Sequence, residues 1–326
     1  MSVVRLASFA EAEAERVSRP PSRWDYVADR GFRLLAQAGA SLILVLLALI
    51  LWEIGGKATV GIRDFGLGFT TSTTWDVGRQ QFGILPHIWG TLYSSLLALV
   101  IGGFFGVAMA IFLTQDFLPP QLAQVFRTVV ELLAAIPSVV YGLWGLFVVV
   151  PALRPVAGWL FDTLSWIPLF GSTLSGPGLA PAALVLGIMI LPTVAAVSQD
   201  ALRRVPYRVK EAAAYGMGTT RWEAILKVML PTAATGIFGA LVLAFGRALG
   251  ETMALAMLIG NSNQISLSLF SPANTLAALL ALNFPEAGKR EVEVLMYAAL
   301  VLLAITLLVN ALGEAIMAVS ARKAKA

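Results

Sequence analysis

The sequence predicts an all-α integral membrane protein with six membrane-spanning helices. Three observations carry that prediction. Of 326 residues, 58% are hydrophobic and only 13% are charged, against about 25% charged in soluble domains. Mean hydropathy is +0.81. The apolar runs each reach about 20 residues or more, enough to cross a hydrocarbon core as a helix. They far exceed the roughly 10-residue alternating segments of a membrane β-barrel.

The elements follow in chain order. Residues 1–33 are polar and mixed in charge, and they read as a cytoplasmic N-terminal tail. This stretch is too long and too acidic for the start of a signal peptide. A membrane-spanning domain is then expected over residues 34–326. Its six spans are expected at about 34–54, 84–113, 125–150, 180–201, 231–260 and 292–319. Pro137 and Pro192 fall inside the third and fourth. Glycines such as Gly102, Gly106, Gly142 and Gly145 suit close helix packing in a membrane. The segments 55–83 and 151–178 hold aromatic residues, prolines and glycines, and they read as interfacial or re-entrant pieces.

Six spans put both termini on one side of the membrane. Sixteen Lys and Arg residues then lie with the termini and the 2–3 and 4–5 connections, and six lie on the opposite side. The positive-inside rule makes the termini cytoplasmic. With no cysteine and one histidine, His87, thiolate and His-rich metal sites are excluded. His87 itself reads as a helix-entry or interface residue. The net charge of +4 is spread over loops and is no nucleic-acid footprint. No G-x-x-x-x-G-K-[ST] occurs, so the chain has no P-loop for ATP.

The fifth run, Pro231–Gly260, holds two charges, Arg247 and Glu251. An Arg at mid-membrane costs about 2.5–3.5 kcal/mol on insertion scales, so it must face protein, water or an anion. Residues four apart share a helix face, which sets Glu251 beside Arg247. A planar fork of donors suits an oxyanion. Arg247 is therefore the first candidate for a substrate pathway. Glu251 either pairs with it or accepts a proton-bearing oxygen, and Thr252 is a further donor. Structural pairing of the two charges is the plainer alternative.

The 4–5 connection, about residues 199–231, is basic and reads as a helix, a glycine turn and a second helix. Thr220 and Glu223 mark the second start. Gly218, Val228, Leu230 and Pro231 are spaced as in the EAA loop of ABC importer permeases, which this connection resembles. The family Glu falls at Ala212 here, with Glu211 one residue early and Ala213 following. The resemblance implies that Glu211, Ala212, Ala213, Gly218, Leu230 and Pro231 form an ATPase-coupling element.

Further motifs narrow the match. FGILP (82–86) with GTL (90–92), ELLAAIPSVVYG (131–142), MILPT (189–193) and GRALGET (246–252) resemble the PstC family of phosphate permeases. That resemblance implies a type I (MetI-like) ABC importer permease fold in a bacterial cytoplasmic membrane. It also implies a PstA-like permease partner, two PstB-like ATPases and a PstS-like external phosphate-binding protein. Inorganic phosphate is the implied cargo, with ATP and Mg bound by partner subunits and no cofactor on this chain. Permeases for sulfate or molybdate, an ATP-independent transporter or channel, and a non-transporting scaffold are the alternatives.

Overall fold

The computed structural model describes residues 22–115, 117–205 and 220–323. Among these, six helices are long and apolar enough to cross a membrane. The chain divides into two compact units, Met1–Ile54 and Gly55–Ala326.

In the first unit the described residues belong to α1 (Arg23–Phe65), whose last turns enter the second unit. The helix starts within the segment expected to be tail. Ser22 explains the start, because its backbone N–H donates to Asp25 Oδ2 at 2.7 Å and its hydroxyl accepts from the Asp25 N–H at 3.2 Å. That exchange satisfies donors at a helix N-terminus.

The second unit continues with α2 (Gly68–Thr71) and a two-stranded hairpin, β1 (Trp75–Asp76) and β2 (Gln81–Phe82), paired Trp75 to Phe82. Phe69 stacks on Tyr297 at 4.6 Å, and Trp75 meets Phe82 and His87 edge-on. His87 is fully buried in the first turn of α3. Of the expected interfacial or re-entrant piece at 55–83, the first part continues α1 to Phe65 and the rest folds into this aromatic cluster.

Helix α3 (Leu85–Thr114) and helix α7 (Leu179–Arg203) form the central pair. Both match the expected second and fourth spans within two residues. A Cβ on Gly106 would strike the Val194 side chain, and one on Gly187 would press on Ile101. Glycine at these sites lets the two backbones close together.

The third span differs from its expectation. Helix α4 (Pro120–Ala135) ends before Pro137, and α5 (Ser138–Trp144) begins after it. Ile136 is extended, with φ −67° and ψ 128°. A residue before proline is driven out of the α region, so the helix stops there. The span is therefore Ser138–Leu164. It runs through α5, a wide turn at Gly145–Val149 and α6 (Val150–Leu164), and takes in much of the segment expected to lie outside.

The fifth span also moves. Helix α8 (Arg221–Ala224), a wide turn at Ile225–Met229 and α9 (Leu230–Leu249) form one rod. Its start is a reciprocal cap. The Thr220 hydroxyl donates to Glu223 Oε2 at 3.0 Å and accepts from the Glu223 N–H at 3.4 Å, while the Thr220 N–H donates to the same carboxylate. Both wide turns are π-type, and each ends two residues before a proline, Pro151 and Pro231. A proline ring displaces the carbonyl four residues back. The wider π spacing absorbs that displacement without breaking the rod.

The rod stops at Gly250, and α10 (Met253–Leu258) begins after it. An irregular stretch leads to α11 (Leu276–Asn283), and α12 (Lys289–Lys323) is the sixth span. The main core cluster joins α3, α5, α7, α9 and α10 through residues such as Ala98, Tyr141, Leu186, Ala248 and Leu255.

Candidate functional site

Arg247 lies in the last turn of α9, not at the middle of a 30-residue helix. A cation there complements the partial negative charge of the helix C-terminus. Helix α9 starts beside the end of α7, where Leu230 and Ala233 cluster with Leu202, and it ends beside the middle of that helix. The Arg247 Nη1 donates to Thr193 Oγ1 at 3.2 Å. Thr193 is the fifteenth of the 25 residues of α7, just beyond Pro192. The guanidinium therefore stands beside the middle of a membrane-spanning helix.

Glu251 does not pair with Arg247. The expected i, i+4 contact needs an unbroken helix, and the helix ends at Leu249. Beyond the break the Glu251 carboxylate turns the other way and accepts from the Ala254 N–H at 3.4 Å, at the start of α10. Thr252 is equally local: its hydroxyl donates to the Gly250 carbonyl at 3.1 Å. In this chain the guanidinium is exposed, with a hydroxyl partner and no carboxylate.

Three motifs read from the sequence meet here. GRALGET supplies Arg247, MILPT supplies Thr193, and IPSVVYG supplies Tyr141, which lies within electrostatic reach of Arg247. The Tyr141 hydroxyl donates to the Leu133 carbonyl at 2.8 Å, back across the Pro137 break. On the next residue, a Cβ at Gly142 would collide with the Met257 Sδ. That close approach seats α5 against α10 and places Tyr141 beside the end of α9. Motif membership alone assigns Thr193 and Tyr141 no part in the site. The available signal is a polar residue one or four places after a proline within an apolar run, Thr193 after Pro192 and Tyr141 after Pro137.

The coupling residues divide. Glu211, Ala212, Ala213 and Gly218 lie outside the described residues. Leu230 and Pro231 sit at the junction of the wide turn and α9. Leu230 packs with Ala110, Leu202, Val205 and Ile237, so the junction is held to the C-terminal ends of α3 and α7. Among the described residues no group of three acidic or His side chains is placed to hold a metal ion.

Residues 102–326 match the family described as binding-protein-dependent transport system inner membrane component. The chain belongs to this family. Among transport-system inner membrane components it is 39% identical over 292 residues to the phosphate transport system permease protein PstC of Mesorhizobium japonicum, covering 88% of this chain and 89% of that one. It is 41% identical over 283 residues to the protein of the same name from Haemophilus influenzae, covering 84% and 88%. The probable PstC of Methanocaldococcus jannaschii is 33% identical over 290 residues, covering 86% and 91%.

Solved structures share the fold at low identity. A bacterial ABC transporter involved in import of the acidic polysaccharide alginate aligns with TM-score 0.57 at 18% identity, over 90% of this chain and 99% of that one. The MetNI methionine ABC transporter in an inward-facing conformation aligns with TM-score 0.55 at 19% identity, over 73% and 95%. The architecture of this inner membrane component is thus that of an ABC importer permease.

Proposed function

We propose that this chain is the membrane-spanning permease subunit of an ATP-driven importer that moves inorganic phosphate into the cytoplasm. The observation that carries the reading is Arg247, a mid-membrane guanidinium left without a carboxylate and oriented by Thr193. An intramembrane charge is expensive and marks an ion or substrate path by default. A guanidinium offers a fork of donors matched to phosphate oxygens, and in low dielectric its charge lowers the barrier to an anion. The phosphate-transport names of the relatives agree with that chemistry.

The exposed face of Arg247 needs a second wall. A PstA-like permease supplies it, two PstB-like ATPases bind and hydrolyse ATP with Mg, and a PstS-like protein delivers phosphate from outside. This chain itself is no enzyme and needs no cofactor of its own. The lysine and arginine distribution supports cytoplasmic termini, and the resemblance to PstC permeases supports a bacterial cytoplasmic membrane. ATP closure reaches the permease through the 199–231 connection, and the rod from Arg221 to Leu249 carries the movement to Arg247.

The test is labelled phosphate uptake by the reconstituted complex, with and without ATP and against excess sulfate. ATP-dependent uptake that sulfate leaves intact, and that Arg247→Gln abolishes in a fully assembled complex, is the expected result. Uptake without ATP, or normal uptake by Arg247→Gln, overturns the reading. Suppression by sulfate moves the cargo to another oxyanion.

A further inference from the structure

A second charged site lies deeper along α7. A cavity of about 370 Å³ opens between α4 and the end of α7. Its lining includes Gln124, Arg127 and Glu131 from α4 and Gln199, Asp200 and Arg203 from α7. Among the described residues no ion pair joins these four charges to one another or to anything else. Arg127 gives one Nη2 bond to the Leu113 carbonyl at 3.3 Å. Its Nε is buried and has no acceptor. A buried donor left unsatisfied costs about 1–3 kcal/mol, more on a charged group, so an acceptor belongs there.

The placement connects this cavity with Arg247. Thr193, Ala196, Asp200 and Arg203 recur at spacings of three, four and three residues, which puts them on one face of α7. That face begins at the partner of Arg247 and ends at the last residue of the helix. Ten residues of helix span about 15 Å. An anion leaving the Arg247–Thr193 pair inward would slide along this face into the cavity.

We propose that the cavity is a release station for the translocated oxyanion, held by the guanidiniums of Arg127 and Arg203. This rests on the phosphate-importer reading and adds a second site to it. Gln124 and Gln199 offer amide donors. Glu131 and Asp200 repel a fully ionised anion and accept from one that carries a proton, so the station binds weakly and empties readily. Glu131, Asp200 and Arg203 are exposed, which keeps the station open to the water beyond the end of α7.

The chain has no cysteine, so a single Ala196→Cys change gives a clean reporter inside the cavity. In the purified nucleotide-free complex, alkylation of that cysteine is followed by mass on this chain, with inorganic phosphate as the probe. A release station with Kd of about 1 mM is ten-elevenths full at about 10 mM phosphate, and alkylation slows about tenfold. The expected result is that slowing, its persistence in an Arg247→Gln background, and its loss with Arg203→Gln. No slowing at that concentration overturns the station. Slowing that survives Arg127→Gln with Arg203→Gln overturns it too, because the guanidiniums would then not be the ligands. Sulfate has no proton to give to Glu131 or Asp200 and is expected to slow alkylation less than phosphate does; equal slowing overturns the part assigned to those two carboxylates. Phosphate protection of Ala196→Cys in a complex whose Arg247→Gln variant transports normally would keep the station while removing the Arg247 pathway.

Discussion

Arg247 and Thr193 lie 54 residues apart in the chain and are joined by a 3.2 Å hydrogen bond between α9 and α7. That bond fixes the direction of the guanidinium, since α9 itself ends two residues later. Thr193→Val keeps the shape and removes the acceptor. Initial phosphate uptake by the reconstituted complex is expected to fall about tenfold, the size of one charge-assisted bond of roughly 1.5 kcal/mol. Thr193→Ser restores it. Equal rates for the valine and serine variants would show that Thr193 orients nothing.

Glu251→Gln separates the pairing inferred from spacing from the arrangement the structure shows. Loss of one partner from a buried ion pair costs about 3–5 kcal/mol. A glutamine keeps the carbonyl that accepts from the Ala254 N–H. Stability in denaturant is therefore expected to change by less than about 0.5 kcal/mol. A loss of several kcal/mol would restore the ion pair.

Tyr141→Phe tests the tie across the Pro137 break. The hydroxyl donates 2.8 Å to the Leu133 carbonyl, and the ring is buried. Its removal is expected to cost about 1 kcal/mol, the net worth of one such hydrogen bond, because the part-buried carbonyl loses its partner. The check is a lowered Tm of the purified complex. An unchanged Tm would mean that packing alone holds α4 on α5.

The periodic parts of this fold were legible in the sequence, and the breaks were misread. Spans α3 and α7 show up because their apolar runs end at clear boundaries, Pro86 at one start and Arg203-Arg204 at one end. Hydropathy alone runs the third span through Pro137, because membrane helices tolerate proline. The decisive fact was local: Ile136 precedes that proline and takes an extended conformation. The error at Arg247 is of the same kind. Hydropathy carries the fifth run on to Gly260, so helical spacing sets Glu251 beside Arg247 across Gly250, where the helix has ended. The site was legible as residue types. Its geometry depended on Thr193 and Tyr141, which only tertiary packing brings to Arg247.

Gly90 and Gly158 make a matched pair for packing. A Cβ on Gly90 would run into the Asn274 carbonyl, a backbone atom that cannot swing away, whereas one on Gly158 meets nothing within 4 Å. Gly158 lies inside α6, where alanine is favoured by about 0.5–1 kcal/mol over glycine. Gly158→Ala is expected to raise Tm slightly, and Gly90→Ala to lower the yield of assembled complex. Normal assembly of Gly90→Ala would mean that the 260–275 stretch is free to move off α3.

The rod that begins at Arg221 and ends at Leu249 is a mechanical arm with its charged group at the tip. Its 28 residues from Trp222 to Leu249 extend about 42 Å at 1.5 Å per residue, so a tilt of about 5° at the inner end sweeps the tip by roughly 4 Å. A hydrogen bond weakens steeply beyond 3.2 Å, so a displacement of that size parts Arg247 from Thr193. Because the helix ends at Leu249, the arginine lies in its last turn, where the sweep is greatest. A few degrees of rotation at Arg221 would thus throw a chemical switch some forty ångströms away, about the length of the rod.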